Sequence, residues 1–104
     1  MTTKTLKHPN VEPAHPGRLL RADVEAMKVS KVAIAEALGI SRRALYDVLD
    51  EKHGISPDMA VRLEAVVGSS AEFWLNMQAA RDLWAARQRV DVKSLKRIEF
   101  EAAE

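Results

Sequence analysis

The stretch from Ser30 to Asp50, SKVAIAEALGISRRALYDVLD, limits the fold more than any other part of the chain. Its spacing predicts a helix over about 31–37, a tight turn at Leu38-Gly39-Ile40, and a second helix over about 42–50. Ser30 and Ser41 stand where N-caps belong, because a serine oxygen can accept one of the backbone N–H groups that the first helical turn leaves unpaired. Gly39 tolerates the left-handed conformation that ends one helix and redirects the chain. Ile34, Ala35, Leu38, Ile40, Leu45, Val48 and Leu49 fall on the inward sides of the pair, and the small Ala35 lets two helix backbones cross closely. This is the pattern of a helix-turn-helix, a unit whose second helix enters the DNA major groove. A plain helical hairpin inside any bundle shares much of it, so the stretch leaves both readings open.

Similar start and stop signals recur on either side. Pro16 opens a helix over about 16–27, with Leu20, Val24 and Met27 forming an inward stripe and Leu19 alongside. Ser56-Pro57 reads as an N-cap followed by proline at the first helical position. The helix it opens runs to about Val67, with Met59, Leu63, Val66 and Val67 inward and Gly68 as its stop. Ser70 caps a last long helix over about 71–89. That helix is apolar on two sides: Phe73, Met77, Ala80 and Trp84 share one face, Leu75, Ala79, Leu83 and Ala86 nearly the opposite one, and Trp74 falls between. A helix apolar on two sides has to bury both. The expectation is a homodimer, with Leu75, Ala79 and Leu83 in the interface, since twofold pairing is the commonest soluble assembly.

The fold expected is therefore all-α: five helices over 16–89, an extended N-terminal arm over 1–15 and a loosely structured tail over 90–104. In the tail, Val90-Asp91-Val92-Lys93 alternates like a short strand, and Leu95 and Ile98 have helical spacing. At 104 residues one domain is expected. There are no cysteines, which removes disulfides, thiolate zinc sites and cysteine nucleophiles. No apolar run approaches a membrane span, and the first thirteen residues lack the apolar centre of a signal peptide. A cytoplasmic protein is the expectation. His8, His15 and His53 have no metal-ligand spacing and read as surface residues. Neither a metal nor a cofactor is expected. Nothing has the arrangement of a catalytic centre or a phosphate-binding loop, so the chain does not read as an enzyme.

The candidate chemistry lies on the second helix of the pair. Arg42, Arg43, Tyr46, Asp47 and Asp50 point outward there, and the first turn of such a helix is what a groove-bound helix presents to base edges. An arginine fork matches guanine O6 and N7 with two parallel hydrogen bonds. Tyr46 lies one turn beyond Arg42, in reach of a phosphate or a thymine methyl. Asp47 lies one turn beyond Arg43, placed to hold its guanidinium. Lys31 and Lys52 are in reach of the phosphate backbone, as are the backbone amides behind Ser30 and Ser41, since helix N-termini attract anions. Against this stands the charge balance. The net charge is only +1, and over residues 29–53 Lys31, Arg42, Arg43 and Lys52 are matched by Glu36, Asp47, Asp50 and Glu51. DNA binding therefore requires the positive charge to be placed locally.

Four runs together, HPGRLLRADVEAM at 15–27, ALGISRR at 37–43, GISPDMAVRLEAVVG at 54–68 and SAEFWLNMQAARDL at 70–83, resemble the HigA-family antitoxins, small helix-turn-helix proteins of the lambda-repressor-like fold. The helix-turn-helix part is shared with many repressors. The His-Pro-Gly opening together with the Phe-Trp-Leu-Asn-Met-Gln segment is far more specific. The resemblance implies a protein that silences a HigB-like toxin, itself similar to ribosome-dependent mRNA endonucleases, and represses the shared operon at a palindromic, double-stranded DNA operator. It implies DNA contacts at Ser30, Lys31, Ser41, Arg42, Arg43 and Tyr46. Family members often carry glutamine where this chain has Lys31; lysine keeps a phosphate donor and loses the amide's ability to bridge to a second residue. The tail after Arg89 matches nothing in the family. Two other functions remain beside this one: a stand-alone repressor without a toxin, and a helical module that binds protein alone.

Overall fold

The computed structural model describes residues 11–100. Five helices follow in order, α1 (Pro16–Met27), α2 (Lys31–Leu38), α3 (Arg42–Leu49), α4 (Pro57–Val66) and α5 (Ala71–Arg89), and a single 3-10 turn over Val92–Ser94 comes after them. The start signals work as the sequence predicts. Ser30, Ser41, Ser56 and Ser70 each accept the N–H three residues on, at 3.1, 3.0, 3.1 and 3.0 Å, and each such cap is worth about 1 kcal/mol. Gly39 takes the left-handed conformation at φ 73° and closes α2.

Helix α1 is capped differently. The His15 ring accepts the Gly17 N–H on Nδ1 at 2.9 Å, and His15 is buried. The surface reading of this histidine is thus corrected. The reason is local: Pro16 fills the first helical position, and Gly17 faces α3 so closely that a Cβ there would overlap the Val48 carbonyl oxygen. Histidine, proline and glycine are respectively the cap, the pre-set first turn and the close approach that dock α1 on the end of α3.

The core lies between the helices. Leu20 and Val24 of α1, Ile34, Ala35 and Leu38 of α2, Leu45, Val48 and Leu49 of α3, Ile55 of the loop that follows, Ala60 and Leu63 of α4, and Trp74 of α5 are all buried. Two α1 and α4 expectations shift. Met27 is 40% exposed, because α1 ends there and the chain turns away at Lys28, whose φ is 58°. In α4 the buried residue beside Leu63 is Ala60, while Met59, Val66 and Val67 are half-buried at its edge.

Helix α5 departs most from its sequence reading. Its inward side is neither of the two apolar faces but the strip between them, centred on Trp74, which is fully buried and donates its indole N–H to the Gly68 carbonyl at 3.1 Å. Gln78 and Arg81 continue the strip. Gln78 accepts the Ile55 N–H at 2.7 Å, and Arg81 donates to the Pro13 carbonyl at 2.8 Å and pairs with Glu12 at 2.6 Å. Leu75 packs against the chain's own core, whereas Phe73 and Leu83 are 41% and 49% exposed. After α5, Val90, Val92, Leu95, Ile98 and Phe100 are all exposed. Neither the strand alternation nor the helical spacing of the tail produces an element beyond the one 3-10 turn. Residues 1–10 of the expected arm and the last four residues of the tail lie outside the described residues. No described helix is long and apolar enough to cross a membrane.

Candidate nucleic-acid interface

Helix α3 is amphipathic in the plainest sense. Leu45, Val48 and Leu49 hold it in the core, and Arg42, Arg43 and Tyr46 stand on its exposed side. Ser41 precedes it as N-cap, with its oxygen committed to the Ala44 N–H. The serine hydroxyl still has its own proton to donate, and the first backbone N–H groups of α3 stay open to an anion. The same holds at α2, where Ser30 caps Ala33 and Lys31 is half-buried behind it. At the other end of α2, Arg62 of α4 donates to the Leu38 carbonyl at 2.8 Å and reaches the Gly39 carbonyl at 3.4 Å. A cation there satisfies orphan carbonyls and complements the negative end of the helix dipole.

The charge balance resolves once partners are assigned. Asp50 is taken by Arg21 of α1 at 2.7 Å, and the same guanidinium donates to the Leu49 carbonyl at 3.3 Å. Glu51, in a left-handed turn at φ 62°, pairs with Arg18 of α1 at 3.3 Å. Asp47 stands between Arg43 at 3.6 Å and the His53 ring at 3.3 Å, and its side chain is only 17% exposed. Three of the four acids that cancelled the charge of residues 29–53 therefore have ion-pair partners within the chain, two of them arginines from α1. Among the described residues, Lys31, Arg42 and Lys52 form no ion pair, and the Arg43 side chain is 87% exposed despite its neighbour. The segment is neutral by count and positive at its exposed side.

Sequence reasoning missed the groups that fix this geometry from behind. His15 is one. Burial pushes its pKa below the ordinary 6.5; Arg81 and Arg18 push the same way, and Glu51 and Asp82 oppose them. The ring is held neutral, as an acceptor at Nδ1 must be. Gln78 and Arg81 are the others, polar residues on the inner side of α5 that tie down Ile55 and residues 12–13. The signal for them was the His-Pro-Gly run itself, whose cap needs a neutral, enclosed ring. Of the expected interface residues on α5, Ala79 and Leu83 are exposed and Leu75 is half-buried. No group of three or more acidic or histidine side chains among the described residues is placed to hold a metal ion.

No protein-family model matches the chain. Individual proteins do. It is 36% identical over 78 residues to antitoxin HigA-1 of Vibrio cholerae serotype O1, a match that covers 74% of this chain and 73% of that protein. It is 34% identical to the HTH-type transcriptional regulator YddM of Escherichia coli K12, over 91% of this chain and 96% of that one. The solved structure of antitoxin GraA in complex with its operator superimposes with a TM-score of 0.78 at 37% identity, covering 91% of this chain and 99% of the other.

The chain belongs to the HigA family of helix-turn-helix antitoxins.

Within this HigA-family member the exposed apolar side chains from Val90 to Phe100 lie outside the core that the five helices build.

Proposed function

We propose that the chain is the antitoxin of a two-gene module, one that binds a palindromic DNA operator through α3 and neutralises a HigB-like mRNA-endonuclease toxin. The observation that carries the DNA half is the one-sided charge of α3. Its acids are paired with α1 or with His53, and Arg42, Arg43, Tyr46 and Lys52 face outward beside two open helix N-termini. Arg42 and Arg43 then read base edges, and Ser30, Lys31, Ser41 and Lys52 fix the register on phosphates. The family relative GraA is captured on its own operator, which supports the same use of this fold.

A homodimer fits this role. Two copies of α3 related by a twofold axis match half-sites about one DNA turn, roughly 34 Å, apart. Ala79 and Leu83 on the exposed side of α5 are the residues proposed for that contact, since Leu75 is occupied by its own core. The exposed tail residues favour a protein partner as well, and we assign the toxin to this end of the molecule. We propose no catalytic role.

The test is co-expression with the product of the adjacent reading frame. The reading predicts a stable complex on co-purification and loss of the toxin's growth inhibition. No complex, with binding to the upstream DNA intact, would instead make the chain a stand-alone repressor.

A further inference from the structure

We propose that Asp47 and His53 set the sequence preference of the interface without touching DNA, by holding the Arg43 guanidinium in one direction. This rests on the operator-binding reading above. Arg43 has an 87% exposed side chain, and Asp47 is its one ionic neighbour among the described residues. A long, exposed arginine with no anchor sweeps a wide arc, and the nearest strong acceptors on a duplex are phosphates, which carry no sequence. An anchored fork meets base edges from a fixed direction.

Asp47 is built as that anchor. Its side chain is 17% exposed, with Oδ1 3.6 Å from Arg43 Nε and Oδ2 3.3 Å from His53 Nδ1. Its own carbonyl accepts the Lys52 and His53 N–H groups at 2.8 and 3.1 Å. The loop that makes this possible turns at Glu51, whose φ is 62° and whose carboxylate is fixed by Arg18. The carboxylate thus has a cationic or imidazole neighbour at each oxygen, and the loop that carries His53 is bonded to the Asp47 backbone. It is poorly placed for a base contact of its own: it is mostly covered, each oxygen faces a neighbouring side chain, and its charge repels phosphate. Asp47, already placed by its spacing to hold Arg43, acts as a positioning residue, and His53, read from its spacing as a plain surface histidine, joins it.

The experiment measures affinity for two duplexes, one from the DNA immediately upstream of the chain's own reading frame and one scrambled to the same composition. The quantity read is the ratio of the two affinities, in which any general repulsion from the Asp47 charge cancels. Asp47→Ala is expected to lower the ratio roughly tenfold, the scale of one lost arginine–guanine discrimination. Arg43→Ala is expected to do the same, and the double variant no more than either alone, because both remove one interaction. His53→Ala is expected to lower the ratio by less, and it carries the same test without altering the helix should Asp47→Ala fail to fold. An unchanged ratio in Asp47→Ala and His53→Ala would overturn the proposal, as would effects of positions 47 and 43 that simply add. If the wild-type chain itself does not prefer the upstream duplex, the operator-binding reading fails, an outcome separate from a failure of the Asp47 assignment.

Discussion

Helix α3 buries Leu45, Val48 and Leu49 and exposes arginine, whereas α5 buries one large side chain, Trp74, turns Gln78 and Arg81 inward and leaves Leu83 in solvent. The two helices use their polar residues in opposite ways. On α3 the charges that face outward are kept available because α1 absorbs the acids at its C-terminal end. On α5 the polar groups are the fasteners: Gln78 satisfies a backbone N–H of the α3–α4 loop, and Arg81 grips the segment leading into α1 while its guanidinium lies 5.6 Å from the Trp84 ring centre. One end of the molecule is a helix held by its apolar side so that its polar side can act. The other is a helix held by a tryptophan and hydrogen bonds, with apolar side chains left exposed.

Substitutions can break that contrast at its strongest point. Trp74→Ala should destabilise the fold by about 4 kcal/mol, the cost of emptying a fully buried aromatic site. Leu83→Ala should leave the unfolding midpoint of the monomer nearly unchanged, and thermal or urea denaturation compares the two directly. Equal losses would mean that α5 is held by its apolar faces after all. At the junction of α1 and α3, Gly17→Ala should cost about 3 kcal/mol by overpacking against the Val48 carbonyl, read by the same denaturation. Gln78→Ala should cost about 1–2 kcal/mol, since it strands the half-buried Ile55 N–H; a null effect would remove the polar-fastener account of α5.

The smallest effect concerns His15 and is read against pH. Its folded pKa lies below the ordinary 6.5, so between those two values the unfolded chain binds more protons than the folded one. The stability contributed by the neutral ring is fully present above about pH 6.5, the unfolded value. It is lost as pH falls from there to the lower folded value. His15→Asn keeps a side-chain oxygen for the cap and does not titrate, so its stability should fall less over that interval than the wild type's. Parallel curves for the two proteins would show that the ring does not carry the dependence.

The same contrast explains what could be read from the residues alone. Serine caps, Gly39, and the apolar spacing of Ile34 to Leu49 are local and strongly periodic, and they give α2 and α3 within a residue at their ends. The bounds of α5 follow from Ser70 and the long helical pattern, but its inward side does not. Pattern reasoning ranks residues by polarity, and here the inner strip holds a glutamine and an arginine whose partners come from distant segments, Ile55 and Glu12–Pro13. The charge of the candidate interface was hidden for a similar reason. Counting gave four cations against four acids, and only the fold assigns Asp50 and Glu51 to Arg21 and Arg18, more than twenty residues away.

The central claim is that the exposed arginines of α3 read DNA. Fluorescence anisotropy with the upstream duplex tests it, comparing the wild-type chain with Arg42→Ala and Arg43→Ala at one fixed salt concentration. The account predicts that at least one substitution weakens binding by about 1–3 kcal/mol and relaxes the preference at one base position, with the unfolding midpoint unchanged. Operator affinity left intact in both variants would contradict it.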